Sequence, residues 1–344
     1  MPNISDFADV TLKDYLTSLK VPAFRAKQIM PWVYKDIVSD YSQMTNLPLD
    51  LREKLSQDIE LFAVKEKLRK ISTDGTMKAL FELQDGETIE TALIPSGDGV
   101  NYTVCVSCQV GCPMNCAFCA TGHMGFLRNL SVSEITDQVR FFSMVLGKQG
   151  RVSNVVFMGM GEPFSNYDAV MGAATRMNAD WGMNIAARSI TISTVGVISG
   201  IRNFMADPRQ FGLAVSLHAP NDAVRNKLLP YNKGIGVDHL LKACKDYANV
   251  TKRRVTFEYC LFKDLNDTYD AAKELAEKLC GINCHVNLIA PNETFDHGLT
   301  ASPKENVLAF EKYLTDLHVN VTLRKSMGQD ISAACGQLKS ETPS

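Results

Sequence analysis

Cysteine is where the chemistry of this chain concentrates. Ten cysteines occur in 344 residues, and five of them fall between Cys105 and Cys119. That stretch reads CVSCQVGCPMNCAFC, with Cys112, Cys116 and Cys119 spaced CxxxCxxC. Three thiolates so close in sequence can converge on one metal centre. A four-cysteine zinc site usually pairs two CxxC knuckles, which this spacing does not supply. A cubane iron–sulfur cluster takes one protein ligand per iron. Three cysteines leave one iron open, as catalytic metal sites leave a position open. The competing reading is a zinc loop completed by Cys108 or Cys105.

Other residue groups could serve such a centre. Val155 to Pro163 reads VVFMGMGEP, a glycine-rich turn directly after an apolar run. Gly159 and Gly161 would let backbone approach a ligand closely, with Glu162 as a charge partner. The turn is no dinucleotide fingerprint, because the third glycine is missing and Pro163 intervenes. Its plain alternative is an ordinary strand–helix turn. Ser193, Ser216, His218 and Asn292 stand at the ends of further apolar runs. Buried polar residues of this kind are more often satisfied core groups than ligands, although a shared position at strand ends points to a site. Near the C-terminus, Ser332-Ala333-Ala334 precedes Cys335, with Arg324 and Lys325 upstream. Small neighbours leave room for a large group, and nearby cations lower a thiol pKa. Taken alone, Cys335 reads equally as an inert buried cysteine.

The elements that position these residues follow from periodicity. Leu12, Leu16 and Leu19, then Ile29 and Val33 around Pro31, then Leu51, Leu55 and Ile59, mark three helices. Lys78–Glu82 and Thr88–Ile94 read as short strands around the turn Asp85-Gly86. From Asn101 onward, Val/Ile/Thr-rich runs alternate with amphipathic segments. One of these starts at Ser131 with Glu134 three residues on, a capping-box pattern. Alternation of this kind predicts an α/β fold with a parallel sheet, whose chemistry sits at the carboxyl ends of the strands. No linker-like stretch divides residues 101–335, so a partial (β/α)6-type barrel with a small N-terminal helical domain is expected. The division falls at residues 1–95 and 96–344.

Composition narrows the class of function. Lys and Arg total 36 against 38 Asp and Glu, a net charge of −2. Such a balance excludes a generic polyanion coat, though not RNA bound through a local patch. The first 90 residues carry 12 basic and 15 acidic side chains. Met1 to Val10 has no basic start and no apolar run, so a cytoplasmic chain without a membrane span is expected. Cysteines there do not form a disulfide framework. Cys244, Cys260, Cys280 and Cys284 read as buried filler, and His123 as a loop histidine.

The motifs together carry a resemblance. CxxxCxxC with an aromatic before the third cysteine resembles the radical S-adenosylmethionine (SAM) superfamily. CVSxQVGCxxxCxFC, GMGEP, SLHAPND, HVNLI and DISAACGQL resemble the RlmN-type adenine-C2 RNA methyltransferases, with the Cfr enzymes as close relatives. The similarity runs from Phe24 to Leu338.

That resemblance implies one [4Fe–4S] cluster on Cys112, Cys116 and Cys119. It also implies two SAM molecules per turnover, lined by Gly161, Glu162, Ser193, Ser216, Leu217, His218 and Asn292. It makes Cys335 the methyl carrier, through S-methylcysteine, and Cys105 the resolving thiol that closes a transient disulfide with it. Glu90 becomes the proton acceptor. The substrates would be adenosine 2503 of 23S rRNA and adenosine 37 of tRNAs. Electrons would come from a flavodoxin-type donor, and the enzyme would act as a monomer. The base must leave its stack to be modified. By resemblance the N-terminal helices help recognise folded RNA, through shape more than bulk charge.

Two departures stand out. Cys108 stands where the family usually has serine, either as a harmless replacement or as a competing resolving thiol or ligand, and Tyr231 stands where isoleucine is common. Two rivals remain at this level: Cfr-type C8 methylation, against which only Pro163 leans, and a zinc-stabilised RNA-binding protein without catalysis.

Overall fold

In the computed structural model the described residues are 1–290, 298–334 and 336–338. Asn292 and Cys335 lie outside them.

The chain opens with three helices, α1 (Asp9–Ser18), α2 (Ala26–Tyr34) and α3 (Leu49–Asp58). Leu12, Leu16, Ile29, Val33, Leu51 and Leu55 bury into one apolar cluster that spans Ile4 to Leu61. Pro31 sits inside α2 without ending it.

The main sheet has ten strands in the order β1-β2-β3-β4-β7-β8-β9-β10-β11-β12. The antiparallel part is β1 (Lys65–Ile71), β2 (Met77–Glu82), β3 (Thr88–Pro95) and β4 (Asn101–Cys105). A separate hairpin of β5 (Gln109–Gly111) and β6 (Phe126–Asn129) brackets the cysteine loop. From β4 onward the sheet is parallel, through β7 (Arg151–Phe157), β8 (Ile190–Thr194), β9 (Gly212–Ser216), β10 (Val255–Cys260), β11 (Cys284–Ile289) and β12 (Val321–Arg324). The edge strands β1 and β12 do not pair, so the barrel is partial. Among the described residues seven strands run parallel, β12 adding one beyond a six-unit barrel.

Lys65 to Lys70, a basic run in the sequence, is the edge strand β1, whose charges face solvent. The capping box at Ser131 forms as the sequence predicts: Glu134 N–H donates to Ser131 Oγ at 3.2 Å and Ser131 N–H to Glu134 Oε2 at 2.8 Å. It starts the helix Val132–Leu146. That helix joins the N-terminal cluster to the barrel through Arg140, which is fully buried. Its guanidinium donates to Asp137 (2.7 Å), Ser5 Oγ (2.9 Å) and the carbonyls of Val33 and Leu61 (2.9 Å each). A buried cation is tolerated only when paired in this way. Ala79 and Phe81 of β2 and Ile89 and Leu93 of β3 join the barrel's core, not the helical cluster.

Candidate active site

The carboxyl ends of all seven parallel strands open onto one cavity of about 210 Å³. β4 contributes Cys105, β7 Phe157, β8 Ser193 and Thr194, β9 Ser216, β10 Glu258 and Cys260, β11 Ile289 and β12 Arg324. A parallel sheet aims every strand the same way, so residues distant in sequence meet at one end.

Cys112, Cys116 and Cys119 line the same cavity on a loop folded by short-range backbone bonds. Cys112 N–H donates to the Gly125 carbonyl (2.8 Å) and Cys119 N–H to the Cys116 carbonyl (3.1 Å). Burial, with the nearby Cys119 and Glu162 adding, pushes the Cys112 thiol up to about 12. Burial and the other two thiols push Cys116 up further, and burial also raises Cys119. Thiolates here would need a compensating cation. Among the described residues no group of three or more His, Cys, Asp or Glu closes on a single ion. A soft, all-thiol donor set in a desolvated wall fits an iron–sulfur cluster, whose ligated irons occupy separate corners.

The turn after β7 needs its glycines. Gly161 has φ +109°, and a Cβ there would lie 2.7 Å from Gln109 Cβ. A Cβ on Gly159 would lie 2.7 Å from the Val106 carbonyl oxygen. Glu162 is buried, and its carboxylate accepts from Phe164 N–H (3.0 Å) and Val195 N–H (2.8 Å). Burial still raises its pKa to about 7 against those bonds.

His218 is buried with its ring against Phe118, centroids 4.8 Å apart. Phe118 is the aromatic before Cys119. His218 Nδ1 accepts the Cys260 N–H at 2.9 Å, so the neutral ring carries its proton on Nε2. Burial, aided by the Arg225 charge, lowers its pKa to about 3. Arg225, itself fully buried, donates to the carbonyls of Leu217 (3.0 Å), Ser216 (2.9 Å) and Val195 (2.6 Å), clamping the ends of β8 and β9.

Not every expected residue reaches the cavity. The Leu217 side chain packs in the core, and only its backbone stands at the strand end. Glu90, on β3, borders a separate small space with Leu68, Lys70, Lys78 and Leu80. Cys108 is buried beside β5 and is not among the cavity-lining residues; its carbonyl accepts from Asn166 at 2.9 Å. Cys244 and Cys284 are buried, as expected of filler. Cys280 is exposed, because it caps the end of a helix (Tyr269–Leu279) where the chain turns outward, so its reading as buried filler is corrected. Cys260 is buried, as expected, and also lines the cavity. His123 is exposed but ends a short helix (Ala120–His123), so its reading as a loop histidine is corrected; its Nε2 lies 3.2 Å from the Ala117 carbonyl oxygen.

Sequence reasoning passed over Glu258, Arg324 as a cavity residue, and Lys78. Glu258 is 4% exposed on β10; its Oε1 accepts from Asn287 (3.0 Å), and Arg324 lies 3.7 Å from its Oε2. A lone acid in the apolar strand VTFEYC was the available signal.

The terminal segment closes one side. Ala333, Ala334, Gly336 and Leu338 line the cavity. Upstream, Gly328 N–H donates to Asp74 Oδ2 (2.7 Å), and Asp330 accepts from Ser72 Oγ (2.5 Å) and Thr73 N–H (3.1 Å). Downstream, Ala120 N–H donates to the Gly336 carbonyl (2.8 Å) and Thr121 Oγ to that of Leu338 (2.5 Å). The segment is therefore strapped between the β1–β2 turn and the cysteine loop, on either side of position 335.

Comparison with known proteins agrees with this geometry. Residues 2–61 match the model of the ribosomal RNA large subunit methyltransferase N-terminal domain, and residues 106–279 that of the radical SAM superfamily. A probable dual-specificity RNA methyltransferase RlmN from Staphylococcus carnosus is 45% identical over 96% of this chain and 90% of its own. Its Bacillus subtilis counterpart is 45% identical over 99% and 93%. The chain belongs to the RlmN-type radical SAM methyltransferase family. The crystal structure of a radical SAM methyltransferase from Sphaerobacter thermophilus superposes with a TM-score of 0.96, at 42% identity, covering 99% of this chain and all of that one. Family membership implies an iron–sulfur cluster and SAM. It makes this chain a SAM-dependent radical methyltransferase. Among the described residues no helix is long and apolar enough to cross a membrane.

Proposed function

We propose that the chain methylates C2 of adenosine in RNA, at adenosine 2503 of 23S rRNA and adenosine 37 of tRNAs, through S-methylcysteine at Cys335. The supporting observation is the shared cavity. The three thiols, the Gly161–Glu162 turn and the strand-end polar groups line one space, and the segment bearing position 335 straps its side.

Cys112, Cys116 and Cys119 would hold one [4Fe–4S] cluster. Bound there, it would grip SAM at the iron without a protein thiolate and supply the electron that cleaves the sulfonium. Gly161 opens backbone for the SAM amino acid, with Ser193, Ser216 and His218 lining the rest and Leu217 contributing backbone; Asn292, outside the described residues, is proposed for the same role from the family resemblance. C2 of adenine is an electron-poor amidine carbon and no nucleophile, whereas a thiolate is a good one. Cys335 therefore takes the methyl of one SAM, and the second SAM serves the radical step. The S-methyl group would lose a hydrogen atom to the radical derived from the second SAM, and the methylene carbon would bond to C2. The adduct would then give its C2 proton to Glu90 and one electron back to the cluster that the three cysteines would hold. The Cys105 thiolate would attack the Cys335 sulfur, closing a disulfide as the S–C bond breaks and the methylated base leaves with a proton. Cys105 lies opposite Ala92 in the β3–β4 register, on the face that Glu90 shares, which supports both roles.

Residues 1–95, the helical cluster with its β extension, would serve RNA recognition, and residues 96–344 catalysis. A flavodoxin-type donor and a cytoplasmic monomer complete the proposal. Mass spectrometry of digested rRNA from cells lacking the gene tests it: 2-methyladenosine should disappear, and loss of an 8-methyl product instead would favour the Cfr reaction.

A further inference from the structure

Beside the cavity, one buried cation has no part in the scheme above. In the antiparallel register Lys78 lies opposite Ala92, and Ala92 opposite Cys105. Paired residues share a sheet face, and so does Glu90, two residues from Ala92. Lys78 Nζ lies 3.0 Å from Glu90 Oε1, with both side chains 4% exposed. The same Nζ donates to the Ser332 carbonyl at 3.1 Å. Ser332 stands three residues before Cys335.

We propose that Lys78 is a positioning residue of the methyl transfer, holding Glu90 as an anion and indexing it to the segment that bears Cys335. This rests on the reading of Glu90 as proton acceptor. A carboxylate against a buried ammonium stays ionised and so keeps its capacity for a proton. An ammonium has three donors and no acceptor, so one atom can hold the carboxylate and the Ser332 carbonyl together. The spacing between acceptor and carrier segment is then set by one nitrogen. Asp74 and Asp330 fix the segment further upstream, through Gly328 N–H and Ser72 Oγ. Lys70 borders the same small space, on the edge strand β1.

The test uses the full-length, cluster-loaded protein as Lys78→Met, Lys78→Arg, Glu90→Gln and the double variant Lys78→Met/Glu90→Gln. Two rates are read by mass spectrometry: S-methylation of Cys335 by SAM without RNA, and C2 methylation of RNA. A positioned base contributes about 10²–10⁴-fold, so Glu90→Gln should slow RNA methylation by that order. Lys78→Met should slow it at least about tenfold while changing S-methylation less than about threefold, and Lys78→Arg should recover part of the loss. In the double variant the ionic role of the lysine is already gone and only its Ser332 contact is lost, so its rate should lie within about threefold of that of Glu90→Gln.

RNA methylation near the wild-type rate in Lys78→Met, with Glu90→Gln slow, overturns the assignment of Lys78 and leaves Glu90 standing. Wild-type turnover in Glu90→Gln removes Glu90 as acceptor and Lys78's role with it. Equal loss of both methylations in Lys78→Met, without recovery in Lys78→Arg, makes Lys78 structural and overturns the proposal. Should Lys78→Met not fold, the double variant, which removes both charges of the pair, decides: a rate well below that of Glu90→Gln overturns the proposal.

Discussion

The cysteine loop and the terminal segment meet at the same cavity and are held in opposite ways. Around its thiols the loop is pinned by backbone bonds to near neighbours and by their burial, with Ala117 N–H also reaching the Leu228 carbonyl (2.9 Å) and Ala120 N–H that of Gly336 (2.8 Å). Among its described residues, the segment after β12 has only a short 3-10 turn at Gln329–Ile331, and side chains from far away hold it. Ser72, Asp74 and Lys78 reach it from more than 250 residues upstream. A cofactor seat needs fixed geometry, since its electron transfer and its SAM grip tolerate little displacement. If Cys335 is the carrier proposed above, its thiol must face SAM in one step and the RNA base in another. A few polar anchors, each with a net contribution of about 1 kcal/mol, allow such a shift where a packed helix would not.

That contrast can be broken at several points. The largest effect should come from Cys112→Ala, Cys116→Ala or Cys119→Ala. Each should abolish turnover and leave less iron and sulfide in anaerobically purified protein, with the brown absorbance lost. Full iron content in any of them would take that thiol out of the seat.

Variants at the carrier should separate the two regions. Cys335→Ala should lose RNA methylation while keeping the cluster and SAM cleavage. Cys105→Ala should trap a covalent RNA–protein species, visible as a shifted band that ribonuclease removes. Absence of the adduct would point away from Cys105.

Loosening the strap should have an intermediate effect. Asp74→Asn should lower turnover by about three- to tenfold at unchanged iron content, with faster hydrogen exchange at residues 326–334. Unchanged exchange there would mean the strap does not depend on this anchor. The contact also has a pH signature. Partial burial alone would raise the Asp74 carboxyl, but the Gly328, Thr76 and Ser72 hydrogen bonds outweigh it and bring it down to about 2. A depressed folded pKa contributes stability above the unfolded value near 3.9, lost as pH falls through about 2. Protection of the segment should therefore be flat from about pH 5 to 8 and fail only in strong acid.

The smallest effect is expected at Cys108. Buried beside β5 and off the cavity wall, it should accept Cys108→Ser at a stability cost of about 1 kcal/mol, with iron content and adduct formation unchanged. A change in either would restore it as ligand or competing thiol.

How much was legible followed from how local each feature is. The thiol trio, the Gly161 turn and the Ser131 capping box are each set by residues a few positions apart, so spacing alone revealed them. β1 was not legible, because an edge strand keeps its charges in solvent and reads as a polar run. Arg140 and Arg225 escaped notice because a buried arginine looks like a surface one until the carbonyls that receive it are in place. Cys280 was misread because exposure depends on which way a chain turns after a helix.

By itself, then, the sequence determined the strand–helix alternation, the donor set of the candidate metal seat and the family. Those depend on side-chain type and short-range periodicity. Only the tertiary structure decided that Glu90 lies outside the cavity on a buried ion pair with Lys78. It also decided that Cys108 lies off the cavity wall, and that the segment around position 335 is strapped between a hairpin and the cysteine loop. Those depend on contacts across hundreds of residues, which exist only once the sheet has closed its register.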